Sequence, residues 1–197
     1  MGLLDRIKGV FSPKKEERFF NNTTFFSNNN SGVVSSKEQA MSIAAVTGCV
    51  RAISTAVASL PLSLYRREED GDKTLERSHI LYKLLHSTPN SINTSYTWRV
   101  QQMINLLLEG NAYSVIIRNN QGIPVELMPL ESSNVRVIKY EESIFYEVQG
   151  VDQPLNSFDV LHISGLSFDG CYGYSPLQMY ASTLGLGVKS REYASNY

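Results

Sequence analysis

Much of what gives a protein its chemistry is scarce in these 197 residues. Only 2 cysteines and 3 histidines occur, and His79, His86 and His162 show no metal-ligand spacing. Cys49 falls inside a predicted helix and Cys171 in a loop, and with no secretory signal ahead of them a disulfide between the two is not expected. An excess of charge of either sign is also missing: 18 Lys and Arg stand against 19 Asp and Glu, a net of -1. That balance lacks the basic footprint of a protein that grips nucleic acid, so a sequence-specific DNA binder is not expected. No run of 18 apolar residues is present, so no segment reads as a membrane-spanning helix. Gly170, Gly173, Gly185 and Gly187 lack the strand-to-helix context and the Lys of a phosphate-cradling loop. No metal and no cofactor is implied.

What is present suits a folded chain. Hydrophobic residues make up 42% and charged residues 19%, and 11 Tyr with 8 Phe supply ample ring surface for a core. The start, MGLLDRIKGVF, sets Leu3, Leu4, Ile7, Val10 and Phe11 on one helical face, but it is too short and too charged for a signal peptide. Residues 12–34 join Pro13, the charges Lys14 to Arg18 and an Asn-rich stretch in which Phe19, Phe20, Phe25 and Phe26 are embedded. Two readings stand side by side for this flexible arm over residues 1–34: a disordered tail, or an arm that leaves its own subunit and docks its paired phenylalanines on a neighbour.

Ser35 with Glu38 matches a capping box, so a helix is expected from about Ser36 to the stop at Pro61. Its apolar stripe is Ile43, Val46, Val50, Ile53, Val57 and Leu60, flanked by Ala44, Gly48, Ala52 and Ala56, which predicts packing on two sides. Leu62 to Arg67 alternates as a strand into the polar turn Glu68 to Lys73, and His79 to His86 reads as a short helix. Asn93 or Thr94 caps a helix to Glu109 whose inward rows are Tyr96, Val100, Met103 and Leu107 with Ile104 and Leu108. Trp98, Arg99 and Gln102 then face outward or toward a partner. Gly110 ends that helix, Asn111 to Arg118 alternates, and Asn119 to Gly122 reverses the chain into Val125 and Leu127 between Pro124 and Pro129, an edge strand. Val135 to Tyr140, Ile144 to Val148 and Val160 to Ile163 complete the strands, and Ser175-Pro176 starts a helix still running at Tyr197, where the chain reads as truncated. Strands that meander after a run of helices predict an α+β fold, an antiparallel or mixed sheet with helices packed on one side, followed by the start of a long helix.

Only His162, Asp169 and Cys171 bring an imidazole, a carboxylate and a thiol near one another in sequence, so a Cys/His hydrolase is the enzymatic alternative. Against it, His162 sits within VLHIS, where one polar residue on an alternating strand serves structure more often than chemistry. The loop Ser167 to Tyr174 offers Phe168, Tyr172 and Tyr174 as rings for a partner or for their own domain. A peripheral membrane protein anchored by residues 1–11 is the other alternative.

Four blocks in order carry a family likeness: VTGCVRAISTAVASLPLSLYRR (Val46 to Arg67), LLEGNAY (Leu107 to Tyr113) with the later ELMPL strand, DVLHISG (Asp159 to Gly165) and GYSPLQ (Gly173 to Gln178). Together they resemble the portal proteins of tailed bacteriophages, over roughly residues 38–197. The resemblance implies a wing-like α+β domain over residues 35–168, then a connector loop and the start of a helix over 169–197 that heads toward stem and clip regions beyond Tyr197. It implies no enzyme but a structural subunit, expected as a dodecameric ring homo-oligomer at the capsid vertex of the virion, assembled from the host cytoplasm. Its expected partners are the terminase large subunit, the major capsid or scaffold protein, a head-tail adaptor and double-stranded DNA passing non-specifically, with no membrane. A near-neutral chain suits a conduit, because each neutralised phosphate adds salt-sensitive affinity that would hold the duplex. Ring closure requires two different complementary surfaces per subunit. Phe19, Phe20, Phe25, Phe26, Trp98, Phe168, Tyr172 and Tyr174 are the candidate subunit-interface residues.

Overall fold

The computed structural model describes residues 18–20, 36–140 and 143–187. The amphipathic stretch 1–11, Phe25 and Phe26, and the chain end after 187 lie outside these residues. A short strand β1 (Arg18–Phe20) precedes helices α1 (Lys37–Met41) and α2 (Ala44–Ser59), the hairpin β2 (Tyr65–Arg67) and β3 (Lys73–Leu75), and a turn of helix α3 (Ile80–Tyr82) that widens into a π-turn over Lys83–Ser87. Helix α4 (Ser95–Glu109) follows, then strands β4 (Asn111–Arg118), β5 (Pro124–Leu130), β6 (Val135–Tyr140), β7 (Ser143–Val148), β8 (Leu155–Asn156) and β9 (Val160–Ser164), and finally the short helix α5 (Pro176–Met179). After Tyr180, residues 181–187 are helical again.

All strand pairs are antiparallel, in a sheet ordered β5-β4-β9, a second ordered β1-β6-β7-β8, and the separate β2-β3 hairpin. Two apolar clusters hold the layers. Leu84, Trp98 and Leu127, with Leu81, Leu85, Ile116 and Leu161, pack the helices on the β4 sheet. Tyr113, Val135, Val137, Tyr146, Val148 and Val160 join that sheet to the second one. The α+β architecture expected from the order of elements is therefore what forms.

Several local signals act as expected. Gly110 takes the left-handed conformation, φ 76°, and its N–H returns to Leu106 O at 2.9 Å to end α4. The Asn119 carboxamide accepts from Gln121 N and Ile123 N, so the β4-β5 hairpin turns where predicted. Strand β5 is an edge, and its exposed side is closed by a loop: Leu127 N donates to Pro89 O at 2.7 Å and Asn90 Nδ2 donates to Leu127 O at 2.8 Å.

Other expectations are corrected. The single helix from Ser36 to Leu60 is two, because Ile43 is extended (ψ 114°) and the Thr47 hydroxyl donates back to Met41 O across the break. Ser36, not Ser35, is the cap, accepting from Gln39 N at 3.2 Å. Helix α2 then buries Val50, Ser54 and Ala58, with Ile53 45% and Leu60 63% exposed. It is packed by α4 on that single face, and the small-residue flank stays open to solvent, a Cβ on Gly48 meeting nothing within 4 Å. Strands β1, β3 and β8 were not expected from the sequence.

The largest correction concerns α4. Its buried row is Ser95, Trp98, Gln102, Asn105 and Leu108, and of the apolar rows that periodicity selects only Leu108 belongs to it. The physical reason is that this face lies on strand backbone, and its polar side chains serve carbonyls there: Gln102 Nε2 donates to Tyr113 O and Asn105 Nδ2 to Leu130 O. Trp98 is 3% exposed, and its indole N–H donates to the Ser114 hydroxyl at 3.1 Å. It is a core residue of its own domain and leaves the set of candidate interface residues.

Candidate functional site

The body hands the chain on at one place, beneath the end of α4. There the loop over residues 165–175 comes back across the helix terminus, and three glycines let backbone lie on backbone. Gly165 N donates to Gly110 O at 2.8 Å, and Tyr174 N to Leu166 O at 2.8 Å. A Cβ on Gly110 would stand 2.1 Å from Tyr174 O, and one on Gly173 would stand 2.0 Å from Gly110 O and 2.7 Å from Gly165 N. No side chain fits at either position.

Asn111, the first residue of β4, is 1% exposed and acts as a short piece of strand made from a side chain. Its Oδ1 accepts from Gly173 N at 2.8 Å and its Nδ2 donates to Gly173 O at 2.6 Å. Its own carbonyl accepts from the Ser132 hydroxyl at 2.7 Å. Ser175 completes the joint: one hydroxyl donates to Leu108 O at 2.9 Å and accepts from Gln178 N at 3.3 Å, tying the end of α4 to the start of α5. The direction in which the chain leaves after Ser175 is thus set by the C-terminal end of α4.

His162 stands behind this joint. Because Asn111 Oδ1 already accepts from Gly173 N, His162 Nε2 must be the donor in their 3.0 Å contact. Its Nδ1 is then the acceptor for the Tyr146 hydroxyl at 3.2 Å. Tyr113 stacks on the imidazole with centroids 4.5 Å apart. Burial pushes the imidazole down to about 4, so it is neutral at physiological pH. Burial likewise raises the Tyr113 and Tyr146 phenols and pushes Tyr172 up to about 12.

This arrangement does not assemble the nucleophile pair that the sequence brings to mind. Both nitrogens of His162 are committed to Asn111 and Tyr146, and Cys171 Sγ faces the Lys139 ammonium at 3.8 Å. Asp169 is spent on its own turn: burial alone would raise its carboxyl, but the N–H groups of Cys171 and Tyr172 and the Ser167 hydroxyl hold it below its ordinary value. Among the described residues no group of three His, Cys, Asp or Glu could hold a metal, and no helix is long and apolar enough to cross a membrane.

The other candidate residues divide by exposure. Phe168 is 80% exposed and touches the edge of Tyr174, centroids 5.0 Å apart. Tyr172 packs on the core between the two sheets. Phe19 and Phe20 belong to β1, whose backbone pairs with β6. What sequence reasoning missed is Asn111: its one cue is its place directly after the helix-ending glycine, and nothing in the sequence links it to Gly173.

With this geometry in hand, comparison with known proteins is specific. The portal protein of Enterobacteria phage HK97 is 29% identical over 163 residues, 81% of this chain and 38% of that protein, so the chain spans well under half of its relative's length. Among solved structures, an HK97-family phage portal protein from Corynebacterium diphtheriae superposes with a TM-score of 0.61 at 17% identity, over 83% of this chain and 50% of the other. A chain in the neck of an empty gene transfer agent particle gives 0.62 at 21% identity, over 81% and 44%. The family model for phage portal protein matches residues 44–197, from the first residue of α2 through the joint at Asn111 and Ser175, and the chain belongs to that family.

Proposed function

We propose that this chain is a structural subunit of a portal ring at a capsid vertex, a wedge that presents packing surfaces to its copies while duplex DNA passes the ring axis. The observation that carries this reading is the portal-family match running unbroken across the body and its exit joint. A rigid joint suits the task, because a segment heading for a channel wall must leave every copy in the same direction. The net charge of -1 suits it as well, since a conduit that gathered many phosphate contacts would bind what it should let slide. The neck of a native gene transfer agent particle, solved with C12 symmetry, contains a chain of this fold and supports a dodecamer.

In this reading the protein acts without catalysis. The virion is its final location and the host cytoplasm its place before assembly. The terminase large subunit, the major capsid or scaffold protein and the head-tail adaptor are its partners through other parts of the ring. Phe168, Tyr172 and Tyr174, on the loop above the exit joint, remain candidates for subunit contact. Electron microscopy of the protein expressed from its full reading frame tests the proposal: closed rings with a central channel are expected, and a homogeneous monomer in native mass spectrometry would overturn it.

A further inference from the structure

Strand β6 has two neighbours, and they are unequal. On one side β7 pairs with it over six residues, Val135↔Val148 to Tyr140↔Ser143. On the other lies β1, three residues long, in the register Arg18↔Lys139, Phe19↔Ile138 and Phe20↔Val137. Without β1 the outer edge of β6 would present unpaired N–H and C=O groups, a ready template for a further strand. The edge is also apolar where it should be polar. Val135 and Val137 face the core between the sheets, so by alternation Ile138 belongs to the opposite face, yet it is 2% exposed. Its register partners are Phe19 and Phe145. The β6 edge is thus a receiver shaped for an apolar strand, and the strand seated in it comes from the arm.

We infer that in the ring this receiver takes residues 18–20 of an adjacent copy. The inference rests on the ring reading above and specifies one of its interfaces. Donor and receiver sit on different parts of the chain, so each copy can give its arm to one neighbour and take one from the other; run head-to-tail this closes a ring, whereas reciprocal exchange between two copies would give a twofold dimer. The 15 residues from 21 to 35 separate β1 from the body. At about 3.3 Å per residue they reach roughly 50 Å when extended, enough to span to a neighbour. Moving the arm from its own edge to an identical one keeps every backbone bond, and a ring holds the neighbouring edge at high effective concentration. The main-chain pairing supplies affinity, and the register at Ile138 supplies specificity.

Disulfide trapping decides the matter. In a background with Cys49→Ser and Cys171→Ser, Phe19→Cys is placed in one tagged copy and Ile138→Cys in a differently tagged one. Rings are assembled from the mixture, oxidised and run without reductant, and a shift from one chain mass to two, carrying both tags, is expected. The doubly substituted chain should likewise form a covalent ladder. Arg18→Cys with Lys139→Cys is the parallel pair should the change at buried Ile138 disturb folding, as judged by circular dichroism. Rings in which the bond closes only within a chain, or in which neither pair forms a bond, would overturn the exchange while leaving the ring intact. Protein that stays monomeric in native mass spectrometry would overturn the ring reading itself.

Discussion

Replacing Gly173 by alanine tests the exit joint most directly. The new methyl would lie 2.0 Å from Gly110 O and 2.7 Å from Gly165 N, and both obstacles are backbone, unable to rotate aside. The loop must therefore move out, and overpacking of this kind costs about 1–3 kcal/mol. Moving it also breaks the two bonds between Gly173 and the Asn111 carboxamide, at 2.8 and 2.6 Å, and leaves those groups buried. Each contributes about 1 kcal/mol net, so the sum is about 3–5 kcal/mol, a large part of the roughly 5–15 kcal/mol by which such a domain is stable. Urea unfolding followed by the fluorescence of Trp98, the one tryptophan in the chain, gives the shift in midpoint at constant slope. The matched control is Gly48→Ala in α2, where a Cβ meets nothing within 4 Å; it should stabilise by up to about 1 kcal/mol. A loss below about 1 kcal/mol for Gly173→Ala, or one equal to a comparable change at Gly48, would refute the backbone-on-backbone account.

Three other perturbations follow from the same geometry. Trp98→Ala should cost about 3–5 kcal/mol in thermal unfolding read by circular dichroism, with Trp98→Phe milder, because the ring is core and the Ser114 hydroxyl loses its donor; a loss confined to ring assembly would restore Trp98 to the interface. Asn90→Ala should cost about 2–4 kcal/mol, since its carboxamide donates to Leu127 O and accepts from Ile92 N and Asn93 N while 6% exposed; unchanged urea stability would show that the loop does not hold the β5 edge. His162 titrates near 4 when folded and near 6.5 when unfolded, so the unfolded chain binds the extra proton between those values. Stability is then full above pH 6.5 and falls by up to about 3 kcal/mol as pH drops toward 4; His162→Gln should lack that slope, and parallel pH profiles for the two proteins would disprove the buried neutral imidazole.

Chain punctuation was legible without coordinates. Gly110, the Asn119 to Gly122 turn, the Thr94 cap and the Ser175-Pro176 start all act through φ preference or a hydroxyl reaching a nearby N–H, physics that spans no more than four residues. Element order gave the α+β class for the same reason, since most of the longer strands and helices announce themselves locally. Which face of a helix is buried was not legible for α2 or α4. Periodicity assumes that the apolar side seeks the core, but α4 lies against strand carbonyls, to which Gln102 and Asn105 donate as a leucine could not, and the break at Ile43 sets α2 on a face of its own.

The exit joint lay further out of reach. Asn111 and Gly173 are 62 residues apart, and no local rule joins an asparagine to a glycine across such a gap. By itself the sequence determined several of the points where elements stop and turn, the absence of charge excess, and the family. Tertiary structure alone decided that His162 keeps both nitrogens occupied, that Trp98 faces inward, and that three glycines meet beneath α4. Short-range preferences are properties of a few adjacent residues, whereas those contacts exist only once distant backbone has been brought within hydrogen-bond length.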